Sequence, residues 1–244
     1  MLKIVTLFLI SMLFAVSAQT QQIHLVTEIF PPYQYKDTVD NRLIGISTEI
    51  VREIQKGLKD ESKIKAYPWP RAVKLVSKKK NTAIFSMLRT KEREHKYKWV
   101  GPIAKMQLVF FKKKGSKITL KNIDDAKKVG KIGVTQKVGN YDILKSKGFK
   151  NLDVIKSGAD EKNIKKLVKG RIDLWPALKT AGLYNARKMG FKGEIVPIKN
   201  VIIFDGDLYI AFNKQTDDAI IKKWQKELDR LKKSGKVKEI MSRY

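Results

Sequence analysis

Arg89 and Arg93 stand four residues apart in the run Ser86-Met87-Leu88-Arg89-Thr90-Lys91-Glu92-Arg93. A guanidinium presents a planar fork of donors that meets a carboxylate or phosphate with two parallel hydrogen bonds, whereas the ammonium of lysine is a point charge. The pair follows a short apolar run at 83–88 of the kind buried in a parallel sheet, and it lies beside a chain reversal. Types and spacing therefore point to the capture of a small anionic group. They are equally compatible with a cap on a helix C-terminus, or with pairing to Glu92 and Glu94.

Little else in the chain is equipped for catalysis. Glu28 is the one acid that reads as a candidate proton donor or acceptor in a cleft. No Ser-His-Asp arrangement and no metal-ligand spacing is present; His24 lies in a strand and His95 on a charged turn, so both read as structural or exposed. With no cysteine, the chain has no disulfide framework, no thiolate metal site and no thiol to carry an N-terminal lipid. Neither a metal nor a cofactor is expected.

Residues 1–18 read as an export signal: Lys3 supplies the positive end, residues 4–14 the apolar core and Val16-Ser17-Ala18 a small-residue cleavage site. The product is expected in a periplasm, released and not tethered. The formal charge of +28, from 52 Lys and Arg against 24 Asp and Glu, fits nucleic acid, an anionic surface or a lysine-rich solvated exterior. Export argues against nucleic acid. Lysines at solvent-facing helix positions favour the solvated exterior, with attraction to anionic ligands or lipids as the alternative.

The elements that must position the arginines follow in order. Residues 23–27 form a first strand, ending at Glu28-Ile29-Phe30-Pro31-Pro32-Tyr33, where two prolines stop the ladder and stiffen a loop carrying Phe30, Tyr33 and Tyr35. Such aromatics suit a ligand wall or core packing. Ile46, Ile50, Ile54 and Leu58 repeat every four residues as one face of a helix, with Ser47 or Thr48 as its cap. A strand at 62–67, a helix opened by Pro68-Trp69-Pro70 and a strand at 83–88 complete a β-α-β-α-β rhythm. In a doubly wound sheet ligands bind at the carboxyl ends of strands, where the proline loop, Trp69 and the arginines all fall.

A second unit repeats the rhythm: helix at 118–128, strand at 131–135, helix at 140–147, strand at 152–156, helix at 160–169, strand at 172–175 and helix at 176–189. Strands at 106–112 and 208–213 are expected to pass between the two units. A closing helix at 217–233, capped by Thr216, buries Trp224, Leu228 and Leu231. The fold class is thus α/β, two doubly wound lobes joined by two crossing strands, a hinged clam that closes on its ligand. The lobes are expected at 19–109 with 210–244, and at 110–209.

Several runs resemble the bacterial periplasmic solute-binding proteins of the polar amino acid type, family 3, the type II clamshells that serve ABC importers. They are Phe30-Pro31-Pro32-Tyr33 after the first strand, Trp69 opening the second helix, Thr90-Lys91-Glu92-Arg93 before Gly101-Pro102-Ile103, Lys131-Ile132-Gly133-Val134, and the stretch from Ile210-Ala211-Phe212-Asn213 through Trp224. The resemblance covers nearly the whole chain beyond the signal. It implies that Arg93 clamps a ligand carboxylate beside Thr90 and the backbone of Ser86 to Leu88, with Phe30 and Trp69 as flat walls. It further implies that the turn Thr135-Gln136-Lys137-Val138-Gly139 aims N–H groups at the same anion. The family's acid for the ligand ammonium corresponds to Leu178, so either Glu28 or another acid of the first lobe substitutes, or the ligand lacks an amine. Arg89 stands where the family commonly has a small or hydroxyl residue, so the resemblance suggests a second acidic group on the ligand.

The resemblance implies a monomeric binding module that hands a small carboxylate, an amino acid foremost, to an inner-membrane ABC permease. The alternatives are a dehydratase-like enzyme on the same fold, for which Glu28 would be the acid or base, and a ligand sensor or adhesin docking on a receptor.

Overall fold

The computed structural model describes residues 22–136, 139–156 and 160–244. The export signal expected at 1–18 lies outside them, as do Lys137 and Val138 of the second-lobe turn.

Strands β1 (His24–Thr27), β4 (Ile64–Ala66) and β5 (Thr82–Leu88) run parallel, with β1 in the middle. Between β1 and β4 the chain makes a small antiparallel pair, β2 (Tyr35–Lys36) with β3 (Leu43–Ile44), and then helix α1 (Ile46–Leu58). The isoleucine face of α1 is buried as its spacing demands, at Ile46, Ile50 and Ile54. Its expected cap is not used. Ser47 and Thr48 lie inside the first turn, and the flanking residue is Gly45 at φ 116°. The proline loop does the capping, since the carbonyls of Pro32 and Tyr33 accept from the N–H groups of Ile46 and Ser47 at 3.0 and 2.8 Å. A Cβ on Gly45 would stand 2.7 Å from those two oxygens, so only glycine fits.

Helix α2 (Trp69–Lys78) packs on the sheet through Ala72 and Val76, and one turn, α3 (Lys91–Glu94), follows β5. The crossing strands are far longer than the sequence suggests: β6 spans Tyr97–Lys113 and β10 spans Ile195–Asn213. They pair antiparallel from Tyr97 and Asn213 at one end to Lys113 and Ile195 at the other, with register shifts on the way. Gly101, Pro102 and Pro197 hide this continuity, because prolines and glycines normally mark strand ends or bulges.

The second unit also differs in detail. Residues 118–128 hold only a 3-10 turn at Asp124–Lys128, because the side chain of Asn122 accepts from the N–H groups of Asp124 and Asp125 and competes with helix formation. Strands β7 (Ile132–Thr135) and β8 (Leu152–Ile155) are parallel, and helices α4 (Gly139–Ser146) and α5 (Asp160–Val168) follow them. Strand β9 is Trp175–Leu178, displaced from 172–175, and helix α6 starts only at Lys179. Pro176 is tolerated there because β9 is the terminal strand of the sheet β4-β1-β5-β10-β6-β9.

Helix α7 (Asp218–Lys233) is capped by Asp217, whose carboxylate accepts from the N–H of Ala219 at 2.7 Å, while the expected cap Thr216 is buried. Helix α8 (Lys236–Ser242) follows. Buried side chains divide along the crossing strands. Ile50, Ile54, Phe85, Ile210, Phe212, Trp224 and Leu228 form one core, whereas Phe110, Val134, Leu144 and Leu174, with Phe111 and Trp175 beside them, fill the other side. Trp175 is wholly buried 5.4 Å from Phe111, a core residue and not part of a cleft.

Candidate functional site

The carboxyl ends of β1 and β5 carry the first-lobe candidates. Val26 pairs with Ile84, so Glu28 and Ser86, each two residues farther on, stand at the same edge. Glu28 is half-buried, and desolvation pushes its carboxyl above the usual range. Ser86 has φ 61°, an uncommon conformation for a residue with a side chain. Across the sheet Tyr209 faces Met87 and Ile210 faces Phe85, which leaves Ser86 as the extra residue of a bulge. Its hydroxyl bonds the Oε1 of buried Gln34 at 2.7 Å. The bulge kinks β5 just before Leu88, where the arginine run begins.

Arg93 lies half-buried on α3, and its Nη1 donates to the Leu88 carbonyl at 3.1 Å. Its guanidinium sits 5.5 Å from the ring centre of Trp69, at the start of α2. Among the described residues no carboxylate forms an ion pair with it. Thr90 flanks α3, and its carbonyl accepts from the Arg93 N–H at 3.0 Å. A hydrogen bond from Thr90 also holds the Glu92 carboxyl below its ordinary range.

Arg89 differs from the expectation that it meets a ligand. Its Nε and Nη2 donate to both oxygens of Glu94 at 2.7 and 2.5 Å, and its guanidinium is flanked by Trp99 and Tyr209 at 5.6 and 5.2 Å. The fork is filled from within the chain. Tyr33 is likewise not a wall: it is 1% exposed, and its hydroxyl donates to the Lys105 carbonyl at 2.9 Å. Phe30, half-buried, lies 5.0 Å from the Tyr33 ring.

Of the second-lobe candidates, Thr135 ends β7, is buried and accepts from Asn163 Nδ2 at 3.2 Å. Gln136 is exposed and Gly139 opens α4. Leu178 sits at the junction of β9 with α6, an apolar residue where an acid was sought. Sequence reasoning missed Gln34, which holds the Ser86 bulge, and Asn140, whose Nδ2 donates to the Pro176 carbonyl at 2.6 Å while its buried Oδ1 has no partner among the described residues. Nothing in local spacing marks an amide as a brace, although its place beside Phe30-Pro31-Pro32-Tyr33 singles out Gln34.

This arrangement, a guanidinium with an aromatic neighbour and a half-buried carboxylate at one sheet edge, can hold a small zwitterion or carboxylate. The family model of bacterial extracellular solute-binding proteins, family 3, matches residues 23–244. No curated protein matches. Among solved structures, substrate-binding domain 2 of GlnP from Lactococcus lactis, in an open conformation, superposes with a TM-score of 0.73 at 18% identity, covering 92% of this chain and 96% of that one. An ancestral cationic amino acid solute-binding protein gives 0.75 at 17% identity, covering 91% and 95%. A histidine kinase sensor domain described as similar to periplasmic binding proteins gives 0.64 at 16%, covering 92% and 96%. These likenesses establish the fold, a type II clamshell. By the family match, the chain belongs to the bacterial extracellular solute-binding proteins, family 3.

Proposed function

We propose that this protein captures a small carboxylate, an amino acid foremost, between its lobes and delivers it to an ABC importer from the periplasm. The lobes in this reading are 19–109 with 210–244, and 110–209. The observation that carries it is Arg93, which is braced on the Leu88 carbonyl and set against Trp69 without an acidic partner among the described residues. The ligand carboxylate completes that fork, Glu28 takes the ammonium in place of the absent acid at Leu178, and Phe30 and Trp69 face the side chain. Thr135, Gln136 and the amino end of α4 close over the anion from the second lobe. Closure removes water, which strengthens each charge-assisted bond, and the ligand favours the closed form by touching both lobes.

A thermal-shift screen of amino acids, dicarboxylates and sulfonates tests this. A ligand present at 100 times its dissociation constant adds ~2.7 kcal/mol of stability. If no carboxylate raises the melting temperature, the reading fails. A sensor role is favoured by one observation, the fold shared with a histidine kinase sensor domain, and it uses the same cleft. Pull-down with a cognate permease or with a receptor separates the two.

A further inference from the structure

The outer face of the first lobe, where one side of α2 and residues around the terminal strand β4 line adjoining hollows, takes no part in the ligand reading. A depression of about 660 Å³ there is lined by Pro70, Arg71, Lys74, Leu75, Lys78 and Lys79. These positions recur every three to four residues and so form one side of α2. It adjoins a second hollow of about 340 Å³ that shares Leu75 and Lys79 and extends to His24, Lys63, Lys65 and Tyr67. Glu61 is the one acid among the lining residues.

No acidic residue occurs in the sequence between Glu61 and Glu92. Among the described residues, none of Lys63, Lys65, Arg71, Lys74, Lys78 or Lys79 forms an ion pair. Helix α7 is also lysine-rich, yet it interleaves Asp218, Glu227 and Asp229 and closes the pairs Lys98–Asp218 and Arg230–Glu227. The cationic field over the hollow is felt at His24, whose imidazole is held below its usual pKa first by burial and then by Lys79 and Lys65.

A merely solvated face has no need of an apolar floor, but Pro70, Leu75 and Tyr67 lie between these cations. The cations are mostly lysines, whose long stems lie along apolar surface while their ammonium groups spread over several phosphates. Arg71, the single arginine, is stacked on Tyr67 at 4.5 Å and not left open as a fork. A flat array of anionic groups matches this pattern better than one small anion does.

We propose that the α2–β4 face of the first lobe docks on a bilayer surface rich in anionic phospholipid headgroups. The proposal stands apart from the cleft and from the identity of its ligand.

Co-sedimentation of the full chain with vesicles tests it. The protein binds phosphatidylglycerol-containing vesicles, not vesicles of phosphatidylcholine alone, and binding weakens with salt. The triple variant K74E/K78E/K79E lowers vesicle affinity by roughly 100-fold or more, and K63E/K65E, in the adjoining hollow, lowers it independently. The control K147E/K150E/K188E changes the net charge as much as the first triple at exposed positions elsewhere and keeps most of the binding. Equal loss in both triple variants would reduce the effect to net charge and overturn the proposal. So would retention on a soluble polyanion such as heparin without binding to the anionic vesicles.

Discussion

Arg187 on α6 donates its Nη2 to the backbone carbonyl of Tyr244 at 2.6 Å, and the Tyr244 hydroxyl bonds Glu49 on α1, so in the division of the chain proposed above one side chain reaches from the second lobe to the first. The Tyr184 ring adds contacts to Tyr35 at 5.7 Å and Tyr244 at 6.5 Å. Arg187→Ala cuts the tie and broadens the range of interlobe distances. The chain has no cysteine, so a pair introduced at Lys96 and Lys147 reports this by fluorescence energy transfer. Coupling of this kind shifts ligand affinity by about 0.5–2 kcal/mol. An unaltered distance distribution would show that the tie does not restrain the hinge.

Arg93→Ala removes the proposed clamp. Truncating one side of a buried charge pair costs about 2–5 kcal/mol of binding. Calorimetry with the ligand found by the thermal screen measures it, and unchanged affinity removes Arg93 from the site.

Arg89→Ala has a different signature, because Glu94 already fills that fork. Ligand affinity changes by no more than about threefold, in line with the small worth of exposed ion pairs. The pairing holds the Glu94 carboxyl low, so its stabilisation is in place above the ordinary carboxylate range and is lost as pH falls through the lowered value. A variant lacking Arg89 therefore differs from the parent in thermal stability at neutral pH and converges with it in acid. A large fall in ligand affinity would mean that Arg89 leaves Glu94 to meet the ligand.

Glu28 carries the opposite sign. Its folded pKa is raised by desolvation, so proton binding favours the folded state: the group is least costly below the unfolded pKa, and the penalty builds as pH rises through the folded value. Glu28→Gln thus raises the melting temperature at neutral pH, with the gain vanishing in acid. The same variant weakens binding of an amino acid more than that of the matching carboxylate without an amine. If both ligands weaken alike, Glu28 does not receive the ammonium.

Ser86→Ala keeps the left-handed backbone of the bulge but leaves Gln34 Oε1 without its hydroxyl partner. A buried acceptor left unpaired costs about 1–3 kcal/mol. Denaturant titration of the variant reads this directly, and a loss well under that range would mean that the bulge is held by its flanking pairs alone.

The isoleucines of α1 and the apolar run at 83–88 were legible because a repeating period or an unbroken apolar stretch survives whatever packs against it. The crossings at 97–105 and 195–207 were not. Their partners change along their length, and Gly101-Pro102 and Pro197 imitate strand ends. At the site, residue type identified two forks and a list of acids, including Glu94. Which fork stays open depends on the kink at Ser86 and the single turn of α3, and a serine gives no sign that it will adopt positive φ. Tyr33 and Phe30 share one loop and one chemistry, yet only the packing beneath it decides which ring is buried.

Strand β10 lies between β5 and β6, so two neighbours in sequence are held apart by a strand translated roughly a hundred residues after them. A nascent chain growing from its amino end therefore has a gap in the middle of its larger sheet until residue 213 emerges. Up to that moment the early strands cannot complete their ladder, and the sheet closes only when its last strand enters between two that were made long before it.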